Sequence, residues 1–400
     1  MSLPNGWKKI KLGEICNKIG SGSTPKGGRE VYLNAGIPII RSQNVLNGFL
    51  DLNDVAFISD EQHSKMKGTW VHPNDILLNI TGASIGRSCV VPATVKTANV
   101  NQHVCIIRLK ECADACYVCN LILSKDVQKQ IELLSVGGGR QGLNFQQIAS
   151  FSFLLPPIEE QKKIAATLSV WDSAIEKMEK LIDAKESLLT EYGKELFGRT
   201  EQRQNENWST IALSDVLNEH GDKSTGKEEV FSVSVHKGLV NQIEHLGRSF
   251  AAKDTSNYNR VHYGDIVYTK SPTGDFPLGI VKQSMIKEDV IVSPLYGVFT
   301  PQTFELGAIL DFYFSSPINA NNYLHPVAQK GAKNTINITN KKFLSAKLRL
   351  PIDIKEQKKI AQFVQTTKKE MAVLQEVLEN YKKQKQGLMQ KLLTGQWRVK

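Results

Sequence analysis

The feature that most constrains this 400-residue sequence is an internal repeat. The hexapeptide Glu-Gln-Lys-Lys-Ile-Ala occurs at 160–165 and again at 356–361, each time shortly after a Leu-Pro pair and ahead of a long helical stretch. The regions before these stretches also echo each other, as in segments 71–76 and 261–266. Self-similarity of this kind indicates duplicated structural units. We therefore predict two half-copies, each a globular domain followed by a helix.

Both helical stretches carry apolar residues with a seven-residue period, which is the a/d pattern of a coiled coil. Lys185, Thr367 and Lys385 interrupt the pattern. Because so narrow an apolar stripe needs a partner, we predict that the two helices pair antiparallel within the chain and give it pseudo-twofold symmetry. The alternative is that each helix packs on its own globular domain. The predicted seam consists of Ile164, Leu168, Trp171, Ile175, Met178, Ile182, Leu189, Leu196, Ile360, Val364, Met371, Leu374, Leu378, Tyr381, Leu388 and Leu392.

The repeat also sets the expected domain boundaries. We predict a first globular domain at 1–155, a central helix at 156–200, a second globular domain at 201–350 and a C-terminal helix at 351–396. Short apolar runs between Gly, Asn and Pro turns predict strands in both globular parts, together with a few helices. The predicted fold class is α+β, with two strand-rich domains joined by two long helices.

The charge of the chain favours a polyanionic partner. Lysine and arginine number 50 against 40 acidic residues, giving a net charge of +10, which suits nucleic acid. No apolar run approaches the roughly 20 residues of a membrane span, and residues 1–20 lack the apolar core of a signal peptide. The expected compartment is therefore the cytoplasm.

Three of the six cysteines share a helical spacing. Cys112, Cys116 and Cys119 stand at i, i+4 and i+7, and neither paired C-x-x-C knuckles nor an H-x-x-x-H partner accompanies them. Because free cysteine is often fully buried, we predict a core stripe on one helix face rather than a metal site.

A search for catalytic motifs argues against an enzyme. The loop at 20–26 comes closest to a phosphate-binding loop, but Pro25 stands where the last glycine should be. The Asn/Asp-Pro-Pro-aromatic motif of adenine methyltransferases is missing, and no Ser/His/Asp or Cys/His arrangement stands out. We predict no catalytic residue, no metal ligand and no cofactor bound by this chain.

Loops rich in small polar residues, Arg and Asn are the candidate binding elements in both halves. Arginine reads guanine and Asn or Gln reads adenine through paired hydrogen bonds, while Ser, Thr and Lys hold phosphates. An ordinary turn is the alternative for any single loop. The predicted DNA-binding residues are Ser23, Thr24, Lys26, Arg41, Ser42, Gln43, Asn44, Ser84, Arg87, Asn101, Gln102, Arg140, Gln141 and Asn144 in the first half, and Lys223, His236, Lys237, Lys270, Ser271, Thr273, Lys330, Lys333, Asn334 and Asn337 in the second.

Taken together, these motifs resemble the specificity subunit of type I restriction–modification enzymes over essentially the whole chain. The residues that carry the resemblance are Trp7-Lys-x-Ile-x-Leu-Gly-Glu-Ile, Gly22-Ser-Thr-Pro, Ile37-Pro-Ile-Ile-Arg-Ser-Gln-Asn-Val, Gly82-Ala-Ser-Ile-Gly, Asn101-Gln-His and Leu155-Pro-Pro-x-x-Glu-Gln-Lys-Lys-Ile-Ala. The second half matches less closely, since Lys223-Ser-Thr stands in place of a clear Gly-Ser-Thr-Pro loop.

The resemblance implies a function that composition and spacing do not. The globular parts would be target-recognition domains, each reading one half of a split, asymmetric site in double-stranded DNA. The helices would fix the distance between the halves and dock two methyltransferase subunits, which use S-adenosylmethionine to methylate adenine. Two motor-nuclease restriction subunits, which use ATP and Mg, would join the same complex.

Two other classes of function remain open from the sequence. One is a non-catalytic DNA-bridging or regulatory protein with two DNA-binding heads. The other is a lone nuclease or methyltransferase with an unfamiliar site, against which the missing motifs argue. Tight DNA binding without partners would favour the bridging protein.

Overall fold

The computed structural model describes residues 4–25, 27, 31–135, 142–198, 207–246, 254–330 and 336–399. The chain divides into two compact units, one formed by Met1–Glu179 with Val377–Lys400 and the other by Lys180–Glu376. Two 40-residue helices each contribute residues to both units. None of the described helices is long and apolar enough to cross a membrane.

Among its described residues, the first unit combines ten strands with helices. The strands are β1 (Lys8–Lys11), β2 (Cys16–Ser21), β3 (Ile37–Ile40), β4 (Ala56–Ile58), β5 (Trp70–Val71), β6 (Ile76–Asn79), β7 (Ser88–Val90), β8 (Ala98–Val100), β9 (Val104–Leu109) and β10 (Ser152–Leu155). The helices are α1 (Asp60–Lys65), α2 (Ala115–Leu123), α3 (Lys125–Ser135), α4 (Phe145–Ala149) and the first part of the long helix α5 (Ile158–Phe197).

The second unit has a similar content. Its strands are β11 (Trp208–Ala212), β12 (Leu217–Glu219), β13 (Phe231–Ser234), β14 (Gly238–Asn241), β15 (Asn259–Val261), β16 (Ile266–Tyr268), β17 (Val281–Gln283), β18 (Val290–Val292), β19 (Gly297–Pro301), β20 (Gln329–Lys330), β21 (Ile336–Asn337) and β22 (Lys347–Pro351). Its helices are α6 (Gln242–Leu246), α7 (Phe304–Phe314), α8 (Pro317–Leu324), α9 (Asn340–Ser345) and the first part of the long helix α10 (Ile354–Leu393).

The two units repeat one sheet topology. The first has a four-stranded sheet in the order β2-β9-β6-β7, and the second has one in the order β12-β19-β16-β17. An antiparallel pair precedes the long helix in each unit, β1 with β10 and β11 with β22. The matching order confirms the predicted α+β class and shows that the duplication seen in the sequence is a duplication of structure.

The central strand β6 shows why these sheets form. Successive side chains of a strand point to opposite faces, and all of β6 is buried. Ile76 and Leu78 enter the core shared with the helices, while Leu77 enters a second core with Val104 and Ile106. Burying a side chain of this kind stabilises the fold by about 1.5–3 kcal/mol. In the second unit Ile266 and Val267 divide between two cores in the same way.

The repeated hexapeptide anchors each long helix to its domain. Gln161 is fully buried and donates a hydrogen bond to the Pro156 carbonyl at 2.8 Å, and Gln357 donates to the Pro351 carbonyl at 2.9 Å. Three residues further on, Ile164 and Ile360 are buried in their respective cores. The hexapeptide therefore repeats because each copy fastens a helix to a globular domain.

Within each unit the two long helices run antiparallel. In the first, Lys385 of α10 pairs with Asp172 of α5, and Lys382 pairs with Glu179. Residue numbers therefore increase along α5 in the direction in which they decrease along α10. In the second, Lys185 pairs with Glu370 at 2.6 Å and the Tyr192 and Phe363 rings lie 4.5 Å apart.

Every residue of the predicted seam is buried or half-buried. Some of these residues also pack on the globular parts, so the two packing alternatives occur together. Leu168 and Leu392 lie in the core of the first unit, and Val364 lies in that of the second with Leu189 and Leu196 against it.

The prediction of a cysteine stripe was wrong for two of its three residues. Helix α2 begins at Ala115, so Cys112 precedes the helix and does not share a face with Cys119. Cys112 and Cys116 are exposed, and Cys119 alone of the three is buried. The spacing was compatible with one helix face, but the helix starts too late to use it.

Candidate nucleic-acid interface

Four loops of the first unit meet beyond the carboxyl end of β6. We call them the first loop cluster and define it as residues 22–25, 80–87, 101–103 and 142–144. Thr81 Oγ1 lies 2.7 Å from His103 Nδ1, and Gln102 Nε2 lies 3.0 Å from His103 Nε2. The hydroxyl of Thr24 donates to Gln102 Oε1, and Gly142 forms a β-bridge with Thr81. One polar chain of side chains therefore joins loops that are distant in sequence.

Gly22 allows the loop after β2 to approach this cluster. A Cβ atom on Gly22 would lie 1.7 Å from the carbonyl oxygen of Val100, far inside any contact distance. The backbones of the two segments are held together by the hydrogen bond from Gly22 N to Val104 O at 3.3 Å. The first residue of the Gly-Ser-Thr-Pro sequence is therefore a glycine because the Val100 backbone lies too close for any side chain.

Several predicted contact residues of the first half are available to a ligand. Ser23, Thr24, Gln102 and Arg87 are exposed, and Ser84 is partly exposed in the 3₁₀ turn after Thr81. Arg87 is held through its backbone, since its amide donates to Ser84 O and its carbonyl accepts from Asn79 N. No hydrogen bond or ion pair of its guanidinium is found among the described residues.

The segment 41–44, in contrast, uses most of its polar groups internally. Asn44 is 2% exposed, and its amide donates to the carbonyls of Asp51 and Asp54. Arg41 donates to Asp54 O at 3.3 Å, and Gln43 donates to the Asp54 carboxylate at 2.8 Å. Ser42 accepts from Asn79 through its carbonyl. The structure therefore gives Asn44 a structural role, and it leaves Arg41 and Gln43 on the surface of a loop that they brace.

Two further predicted asparagines also support the backbone. Asn144 caps α4, where its side chain accepts from Gln147 N at 2.8 Å and the side-chain oxygen of Gln147 accepts from Asn144 N. Asn101 is buried and accepts from His103 N at 3.1 Å. Both lie in the first loop cluster and shape it. Lys26, Arg140 and Gln141 lie outside the described residues.

A second loop cluster lies at the matching end of the sheet in the other unit. We define it as residues 223–225, 270–276 and 293–296. Lys223 Nζ donates to Asn259 Oδ1 at 2.6 Å and to Asn257 O at 3.3 Å, and Asn259 in turn donates to Tyr296 O at 2.9 Å. Tyr296 lies in the turn before β19, as Gln102 lies in the turn before β9, so Asn259 connects Lys223 to the counterpart of the turn that Thr24 contacts.

Lys270, Ser271 and Thr273 follow β16 as Thr81–Arg87 follow β6. Ser271 and Thr273 are exposed and Lys270 is half-buried. Burial lowers the pKa of Lys270, an effect that the carboxylate of Glu219 partly offsets.

The remaining predictions for the second half fall elsewhere or outside the described side chains. His236 and Lys237 are exposed in the turn between β13 and β14. Lys330 and Asn337 lie in the paired strands β20 and β21, and nothing is described of their side chains. Lys333 and Asn334 lie outside the described residues.

Sequence reasoning missed the residues that assemble these clusters. Thr81 and Asn259 are neither charged nor part of a motif, and they matter because distant strands place them beside His103 and Lys223. No spacing rule could have found them, because their partners depend on strand order. It also missed a group of His and Asp residues near the start of β16.

Comparison with known proteins gives the domain class. Residues 4–186 match the family model of the type I restriction modification DNA specificity domain. The chain is 23% identical to the protein named as the MjaX type I restriction enzyme specificity subunit and 22% identical to the MjaVIII specificity subunit, both of Methanocaldococcus jannaschii. Each match covers 100% of this chain and 95% of the relative.

The fold agrees with solved structures over almost the whole chain. The S subunit of a type I restriction–modification system from M. genitalium superposes with a TM-score of 0.64 at 16% identity and covers 98% of both chains. A chain from a type I R-M system structure concerned with complex assembly gives a TM-score of 0.52, at 15% identity and with 98% and 99% coverage.

Fold and domain match together define a DNA-specificity protein built from two similar halves. Residues 4–186 are therefore assigned to the type I restriction modification DNA specificity domain, and the whole chain is similar in sequence and fold to specificity subunits of type I restriction–modification systems.

Proposed function

We propose that the two loop clusters read the two halves of a bipartite, asymmetric site in double-stranded DNA. One observation carries the proposal. Each unit has its own four-stranded sheet, and at the equivalent end of each sheet lie loops with exposed basic and small polar side chains. Arg87 in the first cluster and Lys223 in the second are the leading contact candidates, and Thr24, Gln102, Ser271 and Thr273 are their neighbours. These side-chain types suit phosphate and base-edge contacts.

We further propose that the long helices dock partner subunits. Leu181, Leu188 and Val373 are exposed apolar side chains on α5 and α10 within the second unit, and a partner subunit would bury them. The partners would be two methyltransferase subunits and two restriction subunits in the cytoplasm. S-adenosylmethionine, ATP and Mg would bind to those partners.

The test combines a partner pull-down with DNA binding at several salt concentrations. We expect co-purification with a methyltransferase subunit, and much stronger, sequence-selective binding in its presence. Mapping methylated adenines in the source genome then identifies the site. Tight DNA binding by the chain alone, with no gain from a methyltransferase subunit, would support a two-headed bridging protein instead. Measured salt slopes report the number of phosphate contacts at about 0.9 per contact.

A further inference from the structure

Two histidines and several carboxylates of the second unit meet on paired strands. His262 follows β15 and Asp289 precedes β18, and the pairing of Val261 with Val290 places them opposite each other. His262 Nδ1 accordingly lies 2.8 Å from Asp289 Oδ1. Asp222 is brought to the same place by its backbone, because its carbonyl accepts from Arg260 N at 2.9 Å.

Each imidazole has one nitrogen on a supporting carboxylate and the other nitrogen near Asp222. His262 Nε2 lies 3.0 Å from Asp222 Oδ2, and His220 Nδ1 lies 3.9 Å from the same oxygen. His220 Nε2 is 2.9 Å from Asp265 Oδ2. His220 Nδ1 is buried and has no hydrogen-bond partner among the described residues.

We propose that His220, His262 and Asp222 bind a divalent transition-metal ion, with zinc as the expected metal. Zinc takes imidazole nitrogen and carboxylate oxygen at about 2.0–2.2 Å in tetrahedral geometry, which separates neighbouring ligand atoms by about 3.3 Å. The distances of 3.0 and 3.9 Å from Asp222 Oδ2 to the two nitrogens bracket that value. A water molecule would complete the four ligands.

The arrangement around the two imidazoles also fits a metal site. Histidines that bind a metal almost always donate their other ring N–H to a carboxylate or carbonyl, which fixes the tautomer. Asp265 is the carboxylate beside Nε2 of His220, and Asp289 is the carboxylate beside Nδ1 of His262. Both rings are therefore oriented by outer carboxylates before any ion binds.

Asp265 itself is better suited to orienting than to binding. One of its oxygens lies within 4.8 Å of a nitrogen of each imidazole, but its carboxylate already accepts from His262 N, Thr300 Oγ1 and His220 Nε2. Its counterpart Asp75 likewise accepts from a turn amide, that of His72. Asp222, whose side chain is 50% exposed, is the carboxylate with capacity for an ion.

Protons are the competing occupants of this cluster. Three carboxylates surround the two imidazoles, and Arg260 lies 3.8 Å from Asp289. Two imidazolium ions would balance the charge, but the buried Nδ1–H of His220 would then have its nearest carboxylate at 3.9 Å, beyond hydrogen-bond range. A metal ion uses the Nδ1 lone pair directly and so gives this buried nitrogen of His220 a partner.

The first half of the chain supplies a natural control. His72 holds the position of His262 in the repeated turn, but its side chain is exposed. By strand register Arg108 stands where Thr300 does, and its guanidinium makes two bonds of 2.7 and 2.8 Å to Asp75. Arg108 thus occupies the carboxylate equivalent to Asp265, which orients His220 in the second half, so the site is expected in the second half alone.

A bound ion would fix the loop that carries Lys223. Asp222 immediately precedes Lys223. When Asp222 binds the ion, it also holds the backbone of Lys223 beside Asn259 and the second loop cluster. This consequence rests on the proposed function, whereas the metal site does not. Metal removal should therefore weaken reading of the second half-site and leave the first unchanged.

The test is direct metal analysis of the full-length protein. After chelator treatment and addition of Zn²⁺ at neutral pH, we expect one ion per chain by elemental analysis and a raised thermal midpoint. Titration calorimetry should show at least about tenfold weaker binding for Asp222→Asn and His262→Gln, and about 10–100-fold weaker binding for Asp289→Asn, whose target is an outer carboxylate. The matched variant His72→Gln should bind like the wild type.

The exposed thiols need a separate control because cysteine also binds zinc. The double variant Cys112→Ser, Cys116→Ser should keep the ion, and Co²⁺ in the site should absorb in the visible region without a thiolate charge-transfer band. Loss of the ion in this variant, or unchanged affinity in a folded Asp222→Asn protein, would overturn the proposal. Failure of DNA binding with intact zinc binding would count against the proposed function and leave the metal site standing.

Discussion

Gly22 controls how closely the loop after β2 can lie against the end of β8. Since a Cβ atom there would meet Val100 O at 1.7 Å, Gly22→Ala must push the loop, and Thr24 with it, away from Gln102. We expect a loss of about 1–3 kcal/mol of stability from the forced shift, and roughly tenfold weaker recognition of the first half-site. Gly68→Ala, where an added Cβ meets nothing within 4 Å, should leave binding unchanged, and equal losses in both variants would contradict the role given to Gly22.

Arg87 is the residue of the first loop cluster best placed to read a base. Its backbone is fixed and its side chain is exposed, so only the side chain has to be ordered on binding. Arg87→Ala should cost about 1–3 kcal/mol and relax preference at one position if Arg87 reads a base edge. It should lower the salt slope by about 0.9 if Arg87 holds a phosphate.

Lys96 offers the control for Arg87. It is an exposed cation that precedes β8, at the opposite end of that strand from Asn101. Lys96→Ala should alter neither preference nor salt slope in assays with the methyltransferase present. If Arg87→Ala behaves in the same way as Lys96→Ala, Arg87 does not contact DNA.

The sequence predicted the kinds of residue at this surface better than their roles. Loops rich in Arg, Asn and Ser could be recognised directly, and Thr24 and Gln102 do lie together. An asparagine that reads adenine and one that caps a helix look alike in a sequence, however. Asn44 and Asn144 differ from a free amide only through partners such as Asp54 and Gln147, which the fold supplies.

At the scale of elements, the lysines that interrupt the predicted seam prove to be paired between the helices. Lys385 is 17% exposed and pairs with the half-exposed Asp172, and a polar residue in an apolar seam specifies register at a cost in stability. Lys385→Leu should therefore raise the free energy of unfolding by about 1 kcal/mol, measured by chemical denaturation. Asp172→Ala should lower it, because it leaves Lys385 without its partner, and a gain in both variants would contradict this account.

Asp311 ties helix α10 to α7 in the second unit. Its carboxylate lies 2.7 Å from Lys368 Nζ and 3.8 Å from Lys282 Nζ. Burial opposes ionisation of Asp311, but the two lysines outweigh it and hold the pKa below its ordinary value. The pair therefore stabilises the fold above the ordinary Asp pKa near 3.9, and this contribution is lost as the pH falls through the lowered pKa.

Replacement of Asp311 should show that pH dependence. Asp311→Asn should lower the free energy of unfolding by about 3 kcal/mol at pH 7, since it leaves Lys282 buried without a carboxylate. The difference from the wild type should shrink as the pH is lowered below about 4 and should be lost only below the lowered pKa of Asp311, where both proteins carry a neutral group at this position. A difference that stays constant from pH 7 to pH 3 would exclude the ion pair as its cause.

Helices were more predictable than strands because their signals are local. A seven-residue period over 40 residues, with a proline before each helix, marks α5 and α10 without knowledge of their partners. Strands such as β15 and β18 have three residues each, too few for a period of two to stand out. The pairing of Val261 with Val290, which sets His262 against Asp289, depends on the finished sheet.

At the scale of the whole molecule, duplication is the property that the sequence conveys most completely. The repeated hexapeptide and the repeated turn mark equivalent places in both halves, and the sheets that contain them have the same strand order. The halves differ in the side chains that hydrogen-bond to equivalent carboxylates. Arg108 contacts Asp75 in one half, whereas Thr300 and His220 contact Asp265 in the other. Equivalent scaffolds therefore carry different surface chemistry.

A duplicated scaffold with different loops predicts that the two readers act independently. Each globular part has its own cores and its own anchoring glutamine, Gln161 or Gln357, so replacing residues 1–155 by the corresponding domain of a relative should leave the second unit's fold intact. Methylation by the assembled complex, mapped on random-sequence DNA, should then show a new first half-site and an unchanged second one. The reciprocal exchange of residues 201–350 should do the opposite. Because sites more than about 7–10 Å apart with no shared partners contribute additively, the protein with both domains exchanged should recognise both new half-sites. A change in both half-sites after a single exchange would mean that the two clusters do not read DNA separately.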